Sequence, residues 1–224
     1  MKIRIQFEKL GTVRFTSHKD VVRIFERALA AAGLPVAWSE GFHPHMRMSF
    51  GPPLRTGWES REEFMDITMD SAADDFAARV NEKLPAGLCV RRVVAIDDRT
   101  PKLASDMSAV AMDVFVASQD AYEDADAAAV SSRITSRFLH NNQAETEPRV
   151  REAEVVRSED AIRIRYTSTM QNGRIVTPED VVSAAIGDPE SFRVPIKVVR
   201  LAQYVARGDR LVSPLDEGVV QAIV

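Results

Sequence analysis

The change of hydrophobic period within the first 33 residues constrains this chain more than any other feature. KIRIQF alternates polar and apolar side chains with period two, as a strand with one buried face does. After Gly11, the segment SHKDVVRIFERALAAAG places Val21, Ile24, Phe25, Ala28, Leu29 and Ala32 at helical spacing, and Gly33-Leu34-Pro35 stops the helix. Ser17, with Asp20 three residues on, has the form of a capping box in which Asp stands for the usual Glu or Gln.

The same reading carries on along the chain. VAWSE and MRMSF are extended on either side of a turn, and EEFMDITMD is a further strand. AADDFAARVNEKLP is a helix and CVRRVVAI a strand, which completes a β-α-β-β-α-β order, the split βαβ arrangement. The second half repeats that order less clearly. SAVAMDVFVAS reads as a strand and DAYEDADAAAVSSRITSRFLH as a helix. PRVREAEVVR and AIRIRYTST then form a hairpin turning at SED, TPEDVVSAAIG is a short helix opened by Thr177 and Pro178, and IKVVRLAQYV is a strand. The expected fold class is therefore α+β: two ferredoxin-like (βαββαβ) halves in tandem, with antiparallel sheets carrying helices on one face. The N-terminal domain is expected over 1–98 and the C-terminal domain over 105–224, joined near DDRTPKLASD (97–106). No sequence repeat accompanies the structural one.

Composition narrows the function classes. No apolar run approaches the roughly 20 residues of a membrane span, and MKIRIQFEKL lacks the apolar core of a signal peptide. A cytoplasmic protein that does not enter the membrane is expected. One cysteine, Cys89, excludes an internal disulfide framework and a self-contained iron–sulfur cluster, which usually takes about four thiolates. Cys89 lies in a strand and reads as a buried structural thiol. The net charge of -4 argues against a surface coated for nucleic acid. The charge is uneven, however: residues 1–60 hold nine Lys/Arg against five Asp/Glu, leaving the excess of acid to the rest of the chain. A local basic surface is compatible with that asymmetry.

Three of the four histidines fall in the first half, His18 and the pair His43/His45 in SEGFHPHMRMSFGPP. His18 sits in the first turn of the first helix. Loop 40–45 is expected to approach that turn, because a helix in this topology packs beside the next strand in the chain. Arg14 and Lys19 flank the same helix N-terminus, where free N–H groups and the macrodipole attract anions, and Arg47 and Arg55 lie on either side of SFGPP. A phosphate-sized anion suits the region. Pro44, Pro52 and Pro53 stiffen the loop, and Phe42, Met46 or Met48 are expected to anchor it to the core. The plainer readings are a helix-start histidine with an exposed ring, two solvent-facing turn histidines, and Met46, Met48 and Phe50 as core side chains at period two. His18, His43 and His45 with Asp20 or Glu40 would make a zinc or iron site chemically, but H-x-H on a loop is a weak signal, and no metal or cofactor is expected. Imidazole also suits both proton transfers of a metal-independent ribonuclease, which makes His18 and His45 the catalytic candidates. Elsewhere, RIRYTS puts Arg163, Arg165 and Thr167 on one strand face, read as a solvated basic face, and Ile164, Tyr166 and Ser168 on the other. No phosphate loop, Walker motif or nucleophile elbow is present.

The N-terminal motifs carry a resemblance. RIQFEKLGTVRFTSHKDVVRIFERALAAAGLPVAWSEGFHPHMRMSFGPPLRTG, together with ESREEFMDI, resembles the radical SAM-linked protein family. This is a domain of unknown function fused to, or encoded beside, radical SAM proteins, some with cobalamin-binding domains. The matching residues are Arg14-Phe15, Ser17-His18 with Asp20, Phe25, Arg27-Ala28, Gly33-Leu34-Pro35, Ser39-Glu40-Gly41-Phe42, Pro44-His45, Ser49-Phe50 and Gly57. The chain has Lys19 where that family usually shows leucine and His43 where it commonly shows asparagine, which shifts weight to His18 and His45. The resemblance implies a radical SAM enzyme as partner in trans, one with a cobalamin domain included. The tandem outline is also similar, at the level of fold alone, to CRISPR repeat-processing endoribonucleases. The expected function is a non-catalytic accessory module that presents RNA or another phosphate-bearing substrate to the radical enzyme. Its ligand-binding residues are Arg14, Ser17, His18, Asp20, Glu40, His45, Arg47 and Ser49. The alternatives are a histidine-dependent endoribonuclease and a small metal-binding protein.

Overall fold

A computed structural model of the chain describes residues 1–117, 127–139, 147–157, 161–186, 196–216 and 219–223. In chain order the first elements are β1 (Lys2–Lys9), α1 (His18–Ala31), β2 (Met48–Phe50), β3 (Glu59–Thr68), α2 (Phe76–Asn81), β4 (Leu88–Ile96) and α3 (Leu103–Asp106). After them come β5 (Met107–Ala117), α4 (Ala127–Leu139), β6 (Val150–Arg157), β7 (Ala161–Thr169), α5 (Pro178–Ile186), β8 (Ile196–Arg207), β9 (Arg210–Val212) and β10 (Val219–Ile223). The SED turn and residues 118–126 and 140 of the expected fourth helix lie outside the described residues.

The expected pair of tandem ferredoxin-like halves, each with its own antiparallel sheet, is not what forms. Among the described residues the strands are hydrogen-bonded in one ten-stranded sheet, in the order β10-β4-β1-β3-β8-β5-β7-β6, with β2 on β3 and β9 on β8. Periodicity reads elements one at a time and says nothing of which distant strand completes a ladder. The last strand, β10, escaped the sequence reading, and it pairs antiparallel with β4, more than 120 residues earlier, at Ala222↔Val94 and Ile223↔Val93. By contacts the chain forms two compact units, residues 1–107 with 204–224, and residues 108–203.

In the first unit β1 is the central strand. It pairs antiparallel with β3 (Ile3↔Ile67, Arg4↔Asp66, Ile5↔Met65) and with β4 (Ile3↔Ala95, Ile5↔Val93). Ile3, Ile5 and Phe7 turn to one face, where they meet Val21, Phe25, Ala28 and Leu29 of α1 and Phe76 and Val80 of α2 in a continuous core. The Phe7 and Phe25 rings meet edge-on at 4.8 Å, a favoured aromatic geometry. The capping box at Ser17 is formed: its hydroxyl accepts from the Asp20 N–H, and the Asp20 carboxylate accepts from the Ser17 N–H. After α1, Gly33 takes a positive φ of 61°, a conformation that glycine enters without a Cβ penalty.

The other face of β1 is polar by alternation yet is also buried. Arg4 is 0% exposed. Its guanidinium donates to both carboxylate oxygens of Asp66, at 2.7 and 3.1 Å, and to the carbonyls of Pro214 (3.0 Å) and Pro101 (3.2 Å). Lys2 adds a second cation 3.3 Å from Asp66. Leu103 of α3 and Leu215 of a 3-10 turn, Pro214–Asp216, are buried in the same unit. Residues 1–98 therefore do not supply the carbonyls that Arg4 uses.

In the second unit β7 lies between β5 and β6, both antiparallel to it. Val130 and Ile134 of α4, and Val181 and Val182 of α5, are buried. The α5 start repeats the cap of α1, with Thr177 and Asp180 in reciprocal hydrogen bonds. Arg163 and Arg165 do not form the solvated basic face expected of RIRYTS. Both clamp the buried Asp113 across the β5–β7 ladder, at 2.8 and 3.0 Å.

Removing one partner of a buried ion pair strands the other. Asp66→Ala, which leaves Arg4 and Lys2 without a counter-charge, is expected to cost about 3–5 kcal/mol in urea denaturation. Loss of less than about 1 kcal/mol would show that Arg4 is held by the two prolyl carbonyls alone.

Candidate functional site

The sequence-predicted residues fall into two groups. His18 lies at the first turn of α1, half-buried, with its ring edge-on to Phe50 at 5.3 Å. Phe50 pairs with Met65, and the chain before it runs back along β3, Met48 opposite Ile67 and the Arg47 carbonyl on the Thr68 N–H. His45 is thus separated from Phe50 by on the order of 15 Å of extended chain, at about 3.3 Å per residue. It sits at the end of β3 away from His18, so loop 40–45 does not approach the helix start. The expectation failed because β2 runs antiparallel to β3 and carries the loop off in the direction opposite to α1's N-terminus.

The second group occupies a hairpin. Trp38 bridges to Met46, the Ser39 N–H donates to the His45 carbonyl (2.8 Å), and the His45 N–H donates to Ser39 Oγ (3.0 Å). Ser39 Oγ is also hydrogen-bonded to His45 Nδ1 at 2.8 Å. Met46 is buried and anchors the hairpin, with Met48 packed against the same core. Phe42 does the reverse of anchoring: it is 102% exposed at the tip. Glu40, His43, His45, Arg47 and Ser49 are exposed as well, and so is Trp38.

At the other end the residues are largely committed to one another. The Arg14 guanidinium donates to the buried Glu59 (3.1 Å), whose carboxylate also takes the Gly11 N–H. The Ser17 hydroxyl donates to Asp20 at 2.6 Å, and this hydrogen bond, more than any charge, holds the Asp20 carboxyl below its ordinary range. Of the basic residues in the first 60, Lys2 and Arg4 pair with Asp66 and Arg23 with Asp20, whereas Lys19 and Arg47 are exposed. The positive balance is mostly spent inside the fold.

The sequence reading missed Lys9. It is 2% exposed, and its ammonium donates to the carbonyls of Thr16 (2.8 Å) and Arg14 (3.4 Å). The β1 ladder is irregular here, with register shifts at Gln6/Phe7 toward β4 and at Phe7/Lys9 toward β3, the kind of irregularity that re-aims a side chain. Lys9 lines an open hollow of about 330 Å³ with Phe7, His18, Phe50, Leu54 and Glu63. A signal was present in the sequence: Lys9 continues the parity of Ile3, Ile5 and Phe7, the buried side of the strand. Burial lowers the Lys9 pKa from the ordinary 10.5, and the Glu63 carboxylate partly opposes that shift.

Among the described residues no three His, Cys, Asp or Glu side chains are grouped to hold a metal ion. The set His18, His43, His45 with Asp20 or Glu40 does not assemble. Cys89 is half-buried in β4, its thiol toward the Val90 carbonyl at 3.6 Å. Among the described residues no helix is long and apolar enough to cross a membrane.

Residues 2–181 match a family described as an uncharacterized protein conserved in bacteria (DUF2344). No curated protein matches the chain. Among solved structures, the crystal structure of an unknown protein from Galdieria sulphuraria is similar over 89% of this chain and 97% of that one. The identity is 13% and the TM-score 0.24, too low to carry an argument about fold or function.

Titration of Lys9 followed by NMR at its side-chain carbons is expected to show a midpoint below 10.5. Because the Glu63 charge favours the ammonium, Glu63→Gln should move that midpoint further down. The unfolded chain binds more protons between the two pKa values, so the penalty from Lys9 fades as pH rises toward 10.5. A midpoint at or above the ordinary value would refute the burial argument.

Proposed function

We propose, for a chain that belongs to this uncharacterized bacterial family, a binding module for single-stranded RNA that is not itself a catalyst. The observation that carries the reading is the hairpin around 38–46. Its base is fixed to the core by Met46, while Trp38, Phe42, His43, His45 and Arg47 stand in water. Exposed rings on a rigid support are stacking platforms for unstacked bases, each worth about 1–3 kcal/mol. Arg47 adds a cation for phosphate, and Glu40 and Ser49 add hydrogen-bonding groups beside it.

The proposal includes a radical SAM enzyme, with or without a cobalamin domain, as the partner to which the bound strand is presented. Support for it comes from the N-terminal motifs and from the single cysteine, which leaves a cluster to another chain. The endoribonuclease alternative finds no support in the geometry, since its two candidate imidazoles stand at opposite ends of β3.

Fluorescence anisotropy with a labelled oligouridylate at low salt tests the reading. Phe42→Ala is expected to weaken binding by about tenfold. Arg47→Ala should weaken it less and flatten the log–log salt slope by roughly 0.7, the share of one single-strand phosphate. Arg163→Ala should leave both unchanged. Absence of binding at low salt sinks the reading, and the hairpin is then a surface for protein contact.

A further inference from the structure

The hollow at the end of β1 is not used by the hairpin, and its chemistry is specific. Phe7, Val21, Phe50, Leu54 and Phe64 make apolar walls, with the Phe7 and Phe50 rings edge-on at 6.3 Å. Into these walls project two groups of opposite charge, Lys9 and Glu63. Lys9 has three N–H donors, and two are directed to the Thr16 and Arg14 carbonyls, which holds the ammonium at a fixed place. Glu63 is engaged elsewhere as well, but a carboxylate accepts about four hydrogen bonds. His18, half-buried, stands at the same hollow and closes one side against Phe50. A volume of about 330 Å³ is at the lower end for small-molecule pockets. It admits one ring system and not an extended cofactor.

An occupant that satisfies this site needs an apolar body and, on one edge, a hydrogen-bond acceptor for Lys9 beside a donor for Glu63. A phosphate meets the first charge and is repelled by the second. An aliphatic or simple aromatic group leaves both charges unanswered, at a desolvation cost. A nucleobase has the required form: each carries acceptor and donor side by side on its Watson–Crick edge and presents an apolar face. Unstacked bases are read in this way in single-stranded recognition. We infer that the hollow between the start of α1 and β2 is a binding site for one unstacked nucleobase, with Lys9 and Glu63 as its edge-reading pair. This deepens the RNA reading above and rests on it for the source of the base, while the hollow's chemistry stands apart from the hairpin.

Uridine is the probe, titrated into the full chain and followed by saturation-transfer NMR and by the His18 ring resonances. Millimolar uridine should shift His18, and Lys9→Met should weaken binding by about tenfold or more, the effect of losing a hydrogen bond to a charged group. Because Lys9→Met leaves two buried carbonyls without a donor, its fold is checked by thermal denaturation. His18→Trp is the second variant, which obstructs the hollow and leaves Lys9 in place, and it should weaken uridine to the same extent. No His18 shift, or equal binding to both variants and the parent chain, overturns the inference. The two readings fail separately. Uridine binding without oligouridylate binding keeps the base site and removes the RNA function. Oligouridylate binding that is indifferent to His18→Trp and to replacing its bases by abasic sites removes the base site and keeps phosphate contact.

Discussion

The Arg4–Asp66 pair is the constraint on which the first unit depends. The two residues are directly opposite in the β1–β3 ladder, on the face of β1 that a strand of this pattern would normally show to water. Burying both charges carries a desolvation penalty of several kcal/mol per ion. The arrangement persists because the pair is bidentate, Lys2 lies within reach of the same carboxylate, and the remaining guanidinium hydrogens meet the Pro101 and Pro214 carbonyls. A one-residue slip of β1 would bring Ile3 or Ile5 onto Asp66 and expose Arg4 to the apolar core. Register is thereby fixed electrostatically as well as by hydrophobic alternation. The same contacts tie residues after 98 and after 213 onto β1, which is why the first unit is completed by the end of the chain.

That register sets the position of the site. With Arg4 opposite Asp66, Phe7 falls opposite Glu63, and the shift after Phe7 sets Lys9 opposite Ser60. Phe7, Lys9 and Glu63 then face the hollow from two adjacent strands, while the capped start of α1 brings His18 to them. Each step uses a different interaction: an ion pair for register, a ladder irregularity for aim, a capping box for the helix start.

Local elements were legible in the sequence, and their partners were not. The period-two run of β1, the helical spacing and Ser17–Asp20 box of α1, and the Gly33 stop are properties of a few neighbouring residues, and all are found in the structure. The pairing of β10 with β4 is a property of residues more than 120 apart, and nothing local in VVQAI announces it. Alternation also misassigned a face. Arg4 reads as solvent-exposed because polar residues normally are, and only knowledge of the residues that cover it would correct this. At the site, adjacency in sequence was taken for adjacency in space. Ser17-His18 and Pro44-His45 belong to one run of motifs, but the direction of β2 sends the second away from the first. The charge excess of residues 1–60 was legible as a count and not as a surface, since pairing absorbs much of it.

That absorbed charge bears on how the protein can hold a polyanion. The chain carries a net -4, so its summed field does not favour approach of RNA, and steering of the kind that raises association rates requires the opposite sign. In the RNA reading, short-range contacts take the place of long-range attraction. A ring at a rigid hairpin tip acts only at contact, is indifferent to salt, and takes any base because every base has a π-face. A buried Lys–Glu pair acts over hydrogen-bond distances, and, being shielded from counterions, is screened far less than surface charges. The physical signature of such a module is an affinity with a shallow salt dependence, carried by stacking and edge recognition. A basic-patch protein of the same affinity would show a steep one, and the difference arises from where this fold has placed its cations.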